Sequence, residues 1–414
     1  MPPKNILIAC YYFPPLGLAG TARPLAMANH LAEQGHRVTV LTVRDIDYPV
    51  YDRRLANQIS GKVTVVRAES RDPARLRKRL PLIPSRKLLG RALSRKVKEL
   101  HFPDSKVGFV RPAFKELEKL LPADGDNILI TPSPPVSIHQ LGLKARERYQ
   151  FKWVADWRDI WEALPHFEQS RNFSRKAVEY TQRVLRAADL VTATSAKTLE
   201  YFEDNLKIAA NYFFLPNGYN ETDFEGQLQR EAGRIGLYGT LNHLVGIDRL
   251  FSWIDQFRKR YPEIKFSIRH TGHNDLRDFE SLLARYNLTD IFSSDGYIPH
   301  YRGAIAIMRA NSVNLIALST LCDTSFIVPS KLFELLRAEP PLIALLPENN
   351  AARDLLNRYN FEGLTLVNNI ERFHQALKDC LSAGDSSKHR QRRGLEVFDR
   401  RNQMRRLNDK LIAL

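Results

Sequence analysis

The chain has 414 residues, 43% hydrophobic and 26% charged, enough for two globular domains and unlike a fibrous or disordered protein. Its three cysteines (Cys10, Cys322, Cys380) lie far apart without a C-x-x-C pair, so no zinc site is expected, and no apolar run approaches the ~18 residues of a membrane span. The net charge is +16, and two segments carry the whole excess: residues 71–98 hold eleven Lys or Arg against Asp72, and residues 388–406 hold eight against Glu396 and Asp399.

Strand and helix signals alternate almost throughout, the pattern of parallel sheets. The opening MPPKNILIACYYF has a lysine before a short apolar run but no small-residue cleavage site, so a first strand at 5–10 is expected rather than a signal peptide. FPPLGLAGTARP is a glycine-rich turn into a helix over 22–34 that Gly35 ends, and RVTVLTV (37–43) is a second buried strand. A third strand spans 62–67, followed by the basic block, a helix at 112–121, a strand at 127–131 and the turn SPP at 133–135. A helix over 136–149 leads to a strand at 152–156, then WRDIW, a helix at 174–187 and strands at 190–194 and 212–215. Pro216-Asn217-Gly218 is a strong turn signal, and the polar stretch 220–233 reads as an interdomain linker.

The pattern then restarts. A strand at 234–238 enters GTLNHLVG and a helix over 247–261. Further strands are expected at 265–271, 312–318, 342–346 and 364–367, with helices at 275–287, 301–311, 330–337, 349–359 and 370–383. The last segment, 387–412, is helical and basic. The expected fold is therefore α/β, with two Rossmann-like doubly wound domains, 1–219 and 220–386, facing across a cleft. The C-terminal helix within 387–414 is expected to pack back on the first domain. Such sheets bind ligands at the carboxyl ends of their strands.

The chemical candidates follow from that placement. In PSKLFELLRAEPPLIALLP, Lys331 and Glu334 share one helical face near a helix N-terminus, where a lysine suits a diphosphate and a carboxylate suits two ribose hydroxyls. Taken in isolation, a K-x-x-E reads better as a surface Lys–Glu pair on an ordinary helix; its place late in a long α/β chain favours the site. Gly17, Gly20, Thr21 and Arg23 lie in the first turn, whose backbone can approach a phosphate or sugar while Arg23 holds an anion; a plain tight turn is the alternative. Asp156, Arg158 and Asp159, at the end of a buried strand between Trp157 and Trp161, are the candidate catalytic groups, with an ion-paired structural turn as the alternative. Gly239, Thr240 and Asn242 open the second domain's first loop and are placed to donate to phosphate. His139 reads as a packed or surface histidine, and no Ser–His–Asp order, His-rich metal motif or Walker loop is present. Within the basic block, Leu89, Leu93, Val97 and Leu100 line one helical face amid Arg86, Lys87, Arg91, Arg95 and Lys96, a pattern suited to an anionic membrane surface. The block lacks interleaved aromatics, so nucleic acid is not the expected partner.

These pieces together resemble the GT-B glycosyltransferases of the large retaining family 4 group: FPPLGLAGTARP, SPPVSIH, VADWRDIW, ADLVTATSA, FLPNGYNETDF, IGLYGTLNHLVGIDRL, HTGHND, GYIPHY and PSKLFELL with PPLIALL, in that order over nearly the whole chain. The resemblance implies a nucleotide-sugar donor in the second domain, an acceptor on the first, retention of anomeric configuration, and no metal or other cofactor. It implies that Lys331 contacts the donor diphosphate and Glu334 the ribose hydroxyls. Gly239, Thr240 and Asn242 would lie at the phosphates, 296–301 at the base, Gly20 and Thr21 near the transferred sugar, and 156–159 on the acceptor side. Two positions depart from the family pattern: Phe326 stands where the first Glu of Glu-x7-Glu is usual, and Leu244 and Val245 stand where basic residues are usual. The expected activity is sugar transfer to a cell-surface polysaccharide or a glycan on a polyprenyl lipid, in the cytoplasm at the inner membrane face. The alternatives are a catalytically silent GT-B module in a polysaccharide assembly complex and a nucleotide-sugar epimerase, with a nucleic-acid-binding protein last.

Overall fold

The computed structural model describes residues 3–17, 20–48, 50–72, 75, 101–121, 127–161, 171–226, 230–298, 301–382 and 393–414. The chain divides into two compact units, Met1–Pro216 with Gln403–Leu414, and Asn217–Asn402.

In the first unit, short runs rich in Ile, Leu and Val give seven strands: β1 Asn5–Ala9, β2 Arg37–Val43, β3 Val63–Ala68, β4 Asn127–Pro132, β5 Lys152–Trp157, β6 Leu190–Ala193 and β7 Tyr212–Phe214. All pairs are parallel, in the order β3-β2-β1-β4-β5-β6-β7. Ile8 lies opposite Val40 on one side and Ile130 on the other. The central strands are apolar on both faces because helices cover both, as parallel sheets require. The order reverses between β1 and β4, so the loops after these two strands diverge and leave a crevice. Gly142 shows how closely one covering helix, His139–Arg146, approaches: a Cβ there would lie 2.1 Å from the ring of Trp153.

The second unit repeats the plan with β8 Arg234–Tyr238, β9 Ser267–Thr271, β10 Phe292–Ser294, β11 Val313–Ala317, β12 Leu342–Leu345 and β13 Leu364–Val367. Its parallel order is β10-β9-β8-β11-β12-β13, with the reversal between β8 and β11. The edge strand β10 was not expected from the sequence. Two other expectations need correcting. The stretch 220–233 is no loose linker where it is described: Phe224 is buried, Glu221 accepts from Arg337, and the Glu231 amide donates to the Ala310 carbonyl at 2.8 Å. The C-terminal segment is a 3-10 turn, Leu395–Phe398, and a separate helix, Arg400–Ile412. That helix starts in the second unit and ends in the first, where Met404, Leu407 and Leu411, at helical spacing, join the cluster of Leu31, Val38 and Val40. Its Asn408 meets His36 at 2.6 Å.

Candidate active site

In the first unit, β1 ends in a loop that runs to the helix Ala22–Glu33, and β4 ends at Pro132. Tyr12, Gly20, Arg23, Ser133, Pro134 and Arg158 line a pocket at this reversal point. Ser133 fastens the loop to β5, its amide and hydroxyl donating to the Asp156 carbonyl at 2.9 and 3.1 Å. Gly20 lets the loop lie flat on Tyr12; a Cβ at Gly20 would sit 3.2 Å from that ring.

The charged residues here are arranged differently from the sequence-based expectation. Asp156 is the penultimate residue of β5 and is fully buried. It accepts from Arg23 Nε at 2.9 Å and Nη2 at 2.6 Å, and from the Thr192 hydroxyl at 2.5 Å. Arg23 in turn donates from Nη1 to the Pro216 carbonyl at 3.1 Å. Asp156 therefore holds Arg23 in place, as in the ion-paired alternative, and Arg23 stays at the pocket wall with its charge balanced by that carboxylate. Gly17 is likewise a structural turn, its amide donating to Val50 and its carbonyl accepting from Thr21 and Tyr48. Thr21, wholly buried with its hydroxyl on Gly17, shapes that turn and has no exposed donor. Arg158 and Asp159 are half-buried beyond the strand end, with the Arg158 carbonyl held by the Thr194 hydroxyl at 2.7 Å.

Beneath this pocket lies His139, buried against Trp157 at 4.4 Å between ring centroids, its Nδ1 2.9 Å from the Thr131 hydroxyl. Burial pushes its pKa down to about 3, with Asp156 opposing, so the ring is neutral. It is the packed histidine expected from the sequence.

In the second unit, the reversal point gathers the loop after β8 and the loop after β11. Gly239 adopts φ +95°, a conformation that favours glycine. Its carbonyl accepts from His270 Nε2 at 2.9 Å, and its amide donates to the Thr271 carbonyl at 3.0 Å. Gly272 completes this close approach, since a Cβ there would lie 2.1 Å from the Gly239 oxygen. His270 and Gly272 were given no role by sequence reasoning; the signal was the run H-T-G at the end of a strand. Further along, the Leu244 carbonyl accepts from the Ser319 amide at 2.7 Å. Gly246, at φ +63°, packs so tightly on Ser319 that a Cβ would be 3.0 Å from its Cα. Thr240 is exposed on this loop, and Asn242 folds it, its Oδ1 accepting from the Leu244 amide at 2.9 Å. The site thus brings Gly239, Thr240 and Asn242 into one turn.

Lys331 opens the helix Lys331–Arg337, and its Cγ is the nearest atom to a Cβ built on Gly239, at 3.9 Å. The long side chain therefore runs alongside the glycine turn. Glu334, one turn on, is 2% exposed, with Oε1 3.4 Å from Arg400 Nη2. Phe326 and Asp323 lie in the loop before this helix, and Asp323 accepts from the Ser325 amide and hydroxyl in a local turn. His273 stacks on Tyr297 at 5.1 Å and 10°, a flat aromatic pair at the carboxyl edge of the sheet. Among the described residues, no three His, Cys, Asp or Glu side chains gather as metal ligands, and no helix is long and apolar enough to cross a membrane. Arg86, Lys87, Arg91, Arg95 and Lys96 lie outside the described residues.

The comparisons agree with this architecture. Residues 20–218 match the family model of the glycosyl transferase 4-like domain. Sucrose-phosphate synthase from Thermosynechococcus elongatus superposes with a TM-score of 0.65 at 15% identity, over 99% of this chain and 99% of that one. Anabaena HepE, solved with UDP and glucose, gives 0.64 at 14% over 99% and 100%. The α,α-trehalose 6-phosphate synthase from Burkholderia multivorans gives 0.63 at 12% over 99% and 98%. No curated protein matches the chain significantly in sequence. Residues 20–218 thus carry a glycosyl transferase 4-like domain, and the chain shares the GT-B fold of these neighbours, two doubly wound parallel sheets.

Proposed function

We propose that this glycosyltransferase moves a sugar, with retention of configuration, from a nucleotide-sugar to a cell-surface polysaccharide or a glycan on a polyprenyl lipid. The observation that carries the donor side is Lys331 running beside the Gly239 turn at the strand-order reversal of the second unit. A cation fixed there takes up the negative charge that grows on a departing diphosphate, and a preorganised donor of this kind accelerates bond breaking without reorganisation at the moment of reaction. Thr240 and the turn that Asn242 folds supply further polar contacts, Glu334 takes the ribose hydroxyls, and His273 with Tyr297 offers a stacking face for the base. No metal is required in this scheme. The acceptor hydroxyl would approach over the first unit's pocket at Tyr12, Gly20 and Arg158, with Asp159, next in the chain to Arg158, as the proton-accepting candidate. The clustering of Arg86, Lys87, Arg91, Arg95 and Lys96 in the sequence supports work at the inner face of an anionic membrane.

A catalytically silent module is the second reading, favoured by Phe326 at the place of the usual first glutamate. A thermal-shift screen of the purified protein against UDP, GDP, CDP, ADP and dTDP and their sugar conjugates separates the two. A bound nucleotide stabilises the folded state by about 2.7 kcal/mol at a hundredfold excess over Kd. HepE was solved with UDP, so UDP and UDP-glucose come first. A shift with one base supports transfer; none with any nucleotide supports the silent module.

A further inference from the structure

The first unit has a second concavity that the donor and acceptor assignments above do not use. It lies at the carboxyl edge of the sheet, just past the end of β3, and has a volume of about 250 Å³. Three of its walls are cations: Arg71 from the loop after β3, and Arg111 and Lys115 from the helix Val110–Leu120. Arg111 and Lys115 stand four apart, so they rise from one face of that helix. The remaining walls are Glu69, Ser70 and Pro112. Glu69 does not neutralise the cavity, because its carboxylate already takes the Nε and Nη2 of Arg75 at 3.1 and 3.2 Å, and Arg44 Nη1 at 3.3 Å.

The backbone is built to hold these charges together. The Arg71 amide donates to the Gly108 carbonyl at 3.0 Å, and a Cβ at Gly108 would lie 2.6 Å from the Arg71 carbonyl carbon. The loop therefore rests directly on the turn that leads into the helix, and only a glycine permits it. The next residue, Asp72, is fully buried and accepts from the Tyr11 hydroxyl at 2.5 Å. Tyr11 follows β1, so the same loop is tied to the segment that lines the pocket at Tyr12 and Gly20. Gathering like charges around a concavity raises the energy of the empty protein, and an anion relieves it; the fork of an arginine fits two oxygens of a phosphoryl group.

We propose that Arg71, Arg111 and Lys115 form a site for a phosphoryl group. That the group is carried by the acceptor rests on the glycosyl-transfer reading; the site itself rests on the geometry alone. A phosphorylated soluble sugar and a lipid phosphate or diphosphate present the same chemistry to these residues.

The test is calorimetric titration of the full-length protein with inorganic pyrophosphate at low ionic strength, with and without saturating UDP. The wild type is expected to bind, and R111Q/K115Q to bind at least tenfold more weakly. The charge-matched control R37Q/K144Q, on exposed positions elsewhere in the same unit, is expected to bind like the wild type. Glutamine keeps helix propensity, and Arg71→Gln, on a separate loop, repeats the test should the helix variant fold poorly. Absent binding, equal binding by R111Q/K115Q, or displacement of pyrophosphate by UDP would overturn the proposal. If UDP itself does not bind while pyrophosphate does, the donor reading fails and the phosphoryl site stands. Vesicles of phosphatidylcholine with and without phosphatidylglycerol then identify the source. Loss of vesicle binding in R111Q/K115Q, with release of the wild type by pyrophosphate, points to a lipid phosphate; vesicle binding unchanged beside weakened pyrophosphate binding points to a soluble one.

Discussion

Replacing Asp156 by alanine distinguishes a positioning carboxylate from a catalytic one. The side chain is wholly buried and accepts three hydrogen bonds, two of them from the Arg23 guanidinium, which is itself only 8% exposed. Truncation leaves that guanidinium buried with its counter-charge gone, a change that costs about 3–5 kcal/mol. For a unit of this size each kcal/mol lowers the melting temperature by about 2–4 °C, so the first unit should melt roughly 6–20 °C earlier. Differential scanning calorimetry reads this directly, with the UDP-induced shift as an internal check that the second unit is intact. The double variant Arg23→Met/Asp156→Leu removes both charges and should recover much of the loss, since apolar replacement of a buried pair is often neutral. A melting temperature for Asp156→Ala within about 1 °C of the wild type, together with abolished transfer, would refute the reasoning and return Asp156 to the catalytic groups.

Other expectations are equally direct. Gly142→Ala places a methyl 2.1 Å from the Trp153 ring, which is held by its indole donating to Thr131, so the helix must shift; a loss of about 1–3 kcal/mol or more is expected in urea denaturation. His139 is held neutral in the fold by a pKa lowered to about 3, whereas the unfolded chain takes up its proton below about pH 6.5. The unfolded state therefore binds more protons between these values, and this contribution to stability is complete above pH 6.5 and falls by about 1.4 kcal/mol per unit as pH drops towards 3. His139→Gln should flatten that part of the stability–pH curve. Lys331→Ala should weaken UDP binding about tenfold, roughly 1.4 kcal/mol, with an unchanged melting temperature. Glu334→Ala should weaken UDP binding and also lower stability, because Arg400 loses a buried partner. Equal UDP affinity in both would remove the donor site.

Much of the fold was legible because both sheets are parallel and buried, so their strands are written as continuous apolar runs such as NILIA and RVTVLTV. β10 escaped notice because an edge strand of three residues, FSS, buries little and carries no pattern. The glycine turn at Gly239 and its lysine were found through their positions after β8 and before a short helix. The tight turn at Gly17 and an ion-paired Asp156 were legible as alternatives, but the pairing of Arg23 with Asp156 was not. Arg23 and Asp156 are 133 residues apart, and nothing local says that one neutralises the other. The same holds for Glu221 and Arg337, which make a packed segment of what composition describes as a linker.

The missing cations in the second unit have a structural reason that bears on mechanism. Val245 packs against the hydrophobic core formed by Leu241, Ile247 and Leu250, and the Leu244 backbone is fixed to Ser319. A basic side chain at 245 would have to turn away from that core or carry its charge into it, at a cost no surface ion pair offsets. The loop is thus built for packing at 245, one of the two positions where the family usually places charge. On the proposed reading, charge stabilisation of the leaving group falls to Lys331 and the exposed Thr240 of the glycine turn, which His270 and Gly272 brace. On that account His270→Ala, which touches no phosphate itself, should reduce transfer by loosening the Gly239 turn while leaving nucleotide binding largely intact; a loss confined to binding would show that the turn contributes only affinity.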